Sequence, residues 1–412
     1  MTKRVVVTGL GVVAPNGTGK RDFANAIFSG KSGVDFVTRF DPAKYPVKIA
    51  AEVKSFDPVD YMPIAVMRKT DRFAQLGLAA AKLAIDDAKL DLGDKRFENA
   101  AVIIGSGLGG NNFHEEAMIR IFKNDDPRKA PASTVPRVSP NAVSAYIAMQ
   151  YGIKGINQVI STACSSGAQA IGEAFNKIRC GLIDMAVTGG VEAPITEITF
   201  ACYAALMVLS SECREPQKAS RPFDLTRDGF VLGEGAGIMI LEPLESARAR
   251  GAPIYAELLG FGSNCGAYHM VTPNPSGEDA AQAIRLALQD ANLQSSDIDY
   301  INAHGTSTRG NDVAETRAIK LAFNSYAKKI PTSSIKSMIG HTIGAAGAIE
   351  AIACCLSLNE GKIPPTINLN TADPECDLDY VPNEARKVSI EVAMSNSFGF
   401  GSNNTVLILR RL

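Results

Sequence analysis

The stretch INQVISTACSSGAQAIGEA, Ile156 to Ala174, decides how the rest of the chain is read. Gln158 to Ile160 is a short apolar run that predicts a buried strand, and Gly167 to Ala174 is rich in helix formers and in small residues that allow close packing. Cys164 falls at the turn between them. A thiol at a helix N-terminus faces unpaired N–H groups and the positive end of the helix dipole, and both favour thiolate over thiol. The stretch therefore predicts either a nucleophile or a buried structural cysteine.

Composition narrows the choice. At 412 residues the chain is too long for one simple core, and two intimately packed halves are expected. A hydrophobic fraction of 46%, with 36 glycines and 21% charged residues, suits an α/β protein with many tight strand-to-helix turns. The net charge of −1 argues against a nucleic-acid binder. No run of 18 uninterrupted apolar residues predicts a membrane span, and MTKRVVVTGLG at the start enters a β-branched strand, not a signal peptide. A cytoplasmic protein is expected. The eight cysteines include an adjacent Cys354–Cys355 and no CxxC pair, which suggests neither a disulfide framework nor a zinc site.

Outward from the cysteine, Lys3 to Thr8 predicts a strand, and Gly9-Leu10-Gly11 a turn, with a weak similarity to a dinucleotide loop. Arg68, Lys69 and Arg72 open a predicted helix through Ala88, and Arg128-Lys129 form a second basic cluster; each is a solvated face or a dock for an acidic protein. Ala100 to Ile104 predicts a buried strand ending in a glycine loop where Leu108 is the one large side chain. A boundary is placed near Gly251, giving halves 1–250 and 251–412, because the pattern then begins again. The strand ending at Leu241, after its Gly-rich turn, has a counterpart ending at Leu409, and the helix after Cys164 has one in GAAGAIE, residues 344–350.

Only four histidines are present, and two sit in Gly-flanked turns of the second half: His304 in NAHGTST and His341 in KSMIGH. If the halves pack symmetrically, one thiol and two imidazoles converge on a central cleft. A metal site fits less well, since it wants at least three well-placed ligands. A cysteine protease leaves the second histidine without a role. A thiol that captures an acyl group, with imidazoles that stabilise an enolate on a second substrate, suits carbon–carbon condensation.

STACSSG, NAHGTST, KSMIGH with GAAGAIE, and NSFGFG stand in the order and spacing of the β-ketoacyl-acyl carrier protein synthases, and the chain resembles the synthase II type over essentially its whole length. The resemblance implies a thiolase-like fold of two pseudo-symmetric α/β halves in five αβαβα layers, working as a homodimer or as half of a heterodimer with a chain-length factor. It implies no cofactor of the protein's own, the substrates being carried on the phosphopantetheine of acyl carrier protein. Cys164 matches the nucleophile, and His304 and His341 the pair that assists decarboxylation of malonyl-carrier protein. Lys336 and Glu350 match supporting residues. Phe400 matches the gating phenylalanine, its N–H completing an oxyanion hole with that of Cys164, and Phe398 lies in the same motif. Thr306 and Thr308 match the threonines that bind the pantetheine arm. Arg68, Lys69, Arg72, Arg128 and Lys129 fall where the family meets its carrier protein.

The chain departs from this pattern at four places. FGFGGTN is here Phe398-Gly399-Phe400-Gly401-Ser402-Asn403-Asn404, and Ser133-Thr134 replaces two phenylalanines of the acyl-pocket segment. Met207 stands in place of a docking arginine, and Arg309 where proline is usual. Two alternatives to a fatty-acid synthase are therefore kept: a ketosynthase of a type II polyketide or polyene pathway, and a non-catalytic scaffold of the same fold. A thiolase is similar in fold but would use a second cysteine as base and a different histidine pattern.

Overall fold

The computed structural model of the chain describes residues 2–412. Its first half runs β1 (Val5–Ala14), α1 (Arg72–Asp87), β2 (Ala101–Gly105), α2 (Ala142–Tyr151), β3 (Asn157–Ile160), α3 (Ser166–Arg179), β4 (Ala186–Glu192) and β5 (Gly235–Pro243). The second half repeats this order with β6 (Ala256–Cys265), α4 (Glu278–Ala291), β7 (Tyr300–Asn302), α5 (Arg309–Phe323), β8 (Thr332–Ser333), α6 (Ala346–Glu360), β9 (Val392–Gly399) and β10 (Asn403–Arg410).

The sheet order makes the duplication explicit. From one edge inward it reads β3-β2-β4-β5-β1, and from the other β8-β7-β9-β10-β6. The senses match as well: β2 is parallel to both its neighbours, as is β7, while the β4–β5–β1 and β9–β10–β6 pairings are antiparallel. The halves join where Val5 to Val7 of β1 pairs antiparallel with Ala256 to Leu258 of β6. The echoes read between residues 241 and 409, and between the two small-residue helices, occupy equivalent places, β5 with β10 and α3 with α6.

Three layers of helix alternate with the two halves of the sheet. In the outer layers α1 and α2 pack on β1, β2, β4 and β5 around Phe73, Leu76 and Val102, and α4 and α5 pack on the second half around Ile284, Ile319 and Ile301. Between the halves lie α3 and α6, whose Ala170, Ile171, Ile349 and Ile352 share one core. This is the five-layered arrangement expected. The stretch 343–360 is apolar and long enough to cross a membrane, but it is 89% buried in that central layer. All eight cysteines are free.

Two local readings are corrected. β1 does not end at Thr8 but continues through Gly9 and Gly11 to Ala14. A Cβ on Gly9 would stand 2.2 Å from the Ala84 carbonyl oxygen, and one on Gly11 1.9 Å from that of Ala80, so these glycines serve close approach of α1 to the sheet, not a turn at a dinucleotide. β3 is not a buried strand. It forms the sheet edge, paired only with β2, and Asn157 and Gln158 are exposed.

Candidate active site

The small residues around Cys164 build a strained turn. Ala163 adopts φ +52°, and a single 3-10 turn over Ala163–Ser165 leads directly into α3. Ser166 stabilises it from within: its hydroxyl donates to the Ala163 carbonyl at 2.6 Å and accepts from the Thr162 N–H at 2.9 Å. The second half repeats the device, with Ile343 at φ +47° opening the 3-10 turn before α6. The two turns meet because α3 and α6 carry glycine where they touch. A Cβ on Gly167 would lie 2.9 Å from the Gly344 carbonyl oxygen, and one on Gly347 2.8 Å from the Ala168 Cβ.

His341 and His304 both come from the second half of the chain. The His341 N–H donates to the Val231 carbonyl at 2.7 Å, and its ring lies edge-on to Phe230 at 5.2 Å between centroids. His304 follows β7, and its own N–H and that of Gly305 donate to the two Glu315 oxygens at 2.8 and 2.7 Å. The imidazoles stand 5.4 Å apart at 85° and are each about 2% exposed. Together with Cys164 they line one cavity of about 220 Å³, whose wall also includes Tyr203, Phe230, Thr306, Thr308, Phe398 and Phe400. The Thr306 and Thr308 hydroxyls are 2.9 Å apart.

Burial sets the protonation states. It holds both histidines well below the ordinary imidazole value, and the Lys336 ammonium adds to this, so both are neutral at pH 7. Lys336 is itself fully buried, forming an ion pair with Glu350 and lying 3.3 Å from His304 Nδ1. An ammonium can only donate, so His304 Nδ1 accepts and its proton sits on Nε2. Burial also pushes the Cys164 thiol up to about 11, against the Lys336 charge and the Phe400 N–H, which both favour the thiolate. Loss of solvent thus works against the thiolate that a helix terminus favours.

Among the other anticipated residues, Arg72 is a correction. Its guanidinium is spent on a two-pronged ion pair with the fully buried Glu234 and on the Val53 carbonyl, so it is no free docking group. It opens α1, and that helix turns it inward, whereas Arg68 and Lys69 precede the helix and are exposed. Arg128 and Lys129 are exposed, Arg128 being paired with Asp126. Leu108, Ser133 and Thr134 do not line the cavity of the single chain: Leu108 is held on its loop by Glu192, and Ser133 and Thr134 begin a short helix near the surface.

Sequence reasoning missed the two carboxylates that shape the site. Glu192, at the end of β4, accepts from the N–H groups of Gly107, Leu108 and Gly344 and from the Ser106 hydroxyl. Glu315 carries the His304 turn. Burial raises each to about 7. The one sign available was an acid closing the apolar run of β4. Among the described residues no group of three or more His, Cys, Asp or Glu is arranged to hold a metal ion.

Residues 2–247 match the model of the β-ketoacyl synthase N-terminal domain, and residues 255–370 that of the C-terminal domain. The chain belongs to the β-ketoacyl synthase family. This ketosynthase is 44% identical over 409 residues to the 3-oxoacyl-[acyl-carrier-protein] synthase 2 of Synechocystis, covering 99% of the chain and 98% of the relative. Identity to the Coxiella burnetii protein of the same name is also 44%, over 100% of the chain and 99% of the relative. Among solved structures, the ishigamide ketosynthase/chain length factor superposes at TM-score 0.93 with 38% identity, and a type II polyketide ketosynthase in complex with its acyl-carrier protein at 0.93 with 37%; each covers 100% of both chains.

Proposed function

We propose that this ketosynthase elongates acyl chains for fatty-acid synthesis by decarboxylative condensation. In the first half-reaction the Cys164 sulfur attacks the thioester of an acyl-carrier protein. A new Cys164 thioester forms, the pantetheine C–S bond breaks, and the thiol proton leaves with the departing pantetheine sulfur. Malonyl-carrier protein then enters, its terminal C–C bond breaks to release CO₂, and the electron pair becomes an enolate. The enolate carbon attacks the Cys164 thioester carbonyl, collapse breaks the Cys164 C–S bond and yields a 3-ketoacyl-carrier protein two carbons longer, and the released thiolate takes a proton from solvent to return to the thiol.

One observation carries this reading: two imidazoles 5.4 Å apart share a cavity with the cysteine, and Lys336 Nζ lies 3.3 Å from the Nδ1 of one of them. Neutral N–H donors suit a developing enolate oxygen, because they stabilise charge without first giving up a proton. The Phe400 N–H that faces the thiol is placed to do the same for the thioester oxygen. Thr306 and Thr308 would bind the pantetheine arm, and exposed Arg68, Lys69, Arg128 and Lys129 would meet an acidic carrier. No cofactor of the protein's own is required, and we place the reaction in the cytoplasm.

A second subunit completes the assembly in this reading. The unpaired side of β3 and the exposed Phe122 and Val135, 74% and 76% accessible, are surfaces that such a subunit would cover. Ser133 and Thr134 lie beside Val135, so the composition of that interface bears on chain length. Here a polyketide or polyene reading has its own support, from the likeness to the ketosynthase/chain length factor and polyketide structures.

Intact-mass analysis of the purified chain with a panel of acyl-carrier proteins and malonyl-carrier protein separates the two. Elongation of saturated acyl chains by the chain alone is expected. Activity only after co-expression with a second, different chain would replace the fatty-acid reading with the polyketide or polyene one. Cys164→Ala should abolish the acyl-enzyme mass, and its persistence would remove Cys164 from the reaction.

A further inference from the structure

The Ser402 hydroxyl joins the two walls of the cavity mouth. One wall is the turn Phe400–Ser402 between β9 and β10; the other is the segment 266–272 that follows β6. Two backbone bonds cross between them, from the Gly401 N–H to the Met270 carbonyl at 2.7 Å and from the Gly266 N–H to the Ser402 carbonyl at 2.8 Å. Ser402 Oγ adds three more: it accepts from the N–H groups of Tyr268 and His269 at 3.2 and 3.3 Å and donates to the His269 carbonyl at 3.1 Å. One donor and two acceptor positions are all that a hydroxyl has, so every one is used across the mouth. His269 extends the link, its Nδ1 accepting from the Val271 and Thr272 N–H groups at 3.0 Å each.

Ser402 holds this place at a conformational cost. Its φ is +59°, in the left-handed region where glycine is at ease and a Cβ costs about 1 kcal/mol or more. A strained serine whose hydroxyl is saturated by the opposite wall is there for its hydroxyl. Two residues earlier on the same turn, Phe400 lines the cavity together with Cys164, and a Cβ on its neighbour Gly399 would stand 3.1 Å from the Cys164 nitrogen. We infer that Ser402 is a positioning residue: a clasp that ties the Phe400 turn to segment 266–272 and so fixes the Phe400 N–H over the acyl-Cys164 carbonyl. Its catalytic part rests on the condensing function proposed above, whereas its structural part does not.

Ser402→Ala removes the hydroxyl and keeps the strained Cβ; Ser402→Gly removes both. In hydrogen exchange on the full-length protein, peptides spanning 266–272 and 399–403 should exchange about three- to ten-fold faster in both variants, the size expected from one or two lost hydrogen bonds. The melting temperature of the glycine variant should be no lower than that of the alanine variant. Condensation turnover should fall in both while KM for the carrier substrate changes less and acylation of Cys164 is not slowed. Unchanged exchange in both variants overturns the clasp. Faster exchange with wild-type turnover overturns its positioning role. A wild-type chain that never acylates would instead overturn the condensing function, and the exchange comparison would still decide the clasp.

Discussion

Lys336 Nζ lies 3.3 Å from His304 Nδ1 while it is ion-paired with Glu350, all three groups being buried. The lysine therefore does two separable things: it fixes the His304 tautomer and it compensates a buried carboxylate. Lys336→Ala should lower condensation by about 100-fold, in the range of lost preorganised donors, and acylation of Cys164 by much less. It should also cost about 3–5 kcal/mol of stability, because Glu350 is left uncompensated. The double substitution Lys336→Met with Glu350→Leu should recover most of that stability and none of the condensation. Melting curves and separate acylation and condensation assays check this; recovered turnover in the double variant would rule out the tautomer role.

The Cys164 thiol, raised by burial to about 11, should be sluggish towards alkylation at neutral pH. Since thiolate is the reacting form, the iodoacetamide rate at Cys164 should climb about ten-fold per pH unit from about pH 7 to 9.5 without levelling off. Peptide-level mass spectrometry is needed, because Cys180, Cys202 and Cys265 are exposed and will also react. A plateau near neutrality would mean that the helix terminus and Lys336 prevail over burial after all. In that case acyl transfer would begin from a standing thiolate and not from a thiol.

The thiol and the two imidazoles that share the cavity could be read from sequence because each has small residues beside it: Cys164 in STACSSG, His304 in NAHGTST and His341 after Gly340 in KSMIGH. Small neighbours are what a sharp turn needs, so the same residues reveal both the turn and the group it presents. The duplicated fold was legible for a related reason, since each half must bury a Gly-rich helix against its partner. Glu192 and Glu315 were not legible, because a carboxylate looks like ordinary polar surface until distant backbone N–H groups close around it. Arg72 misled through its neighbours: Arg68 and Lys69 suggested a basic patch, but the helix points Arg72 at Glu234, 162 positions further on. Gly9 and Gly11 misled in the same way, because a glycine needed for close packing and one needed for a turn look alike in a sequence.

Glu192 offers a test of how the buried carboxylates are tied to pH. Its oxygens hold the Ser106–Leu108 loop and Gly344 together, and burial raises it from 4.5 to about 7. A group whose folded value is raised holds its proton more tightly in the native state between those limits, so its favourable contribution is complete at low pH. It is then lost as pH rises through about 7. For Glu192 alone the loss amounts to about 2 kcal/mol between about pH 5.5 and 8.5. Glu192→Gln cannot titrate, and its amide would turn an N–H towards backbone N–H groups, at a cost of about 1–3 kcal/mol. Wild type should therefore be the more stable protein at pH 5.5, and the gap to the variant should narrow as pH rises. Chemical denaturation of both proteins across this range measures the gap directly. A gap that stays constant or widens would mean that Glu192 is already ionised at the acid end, with its four hydrogen bonds outweighing burial.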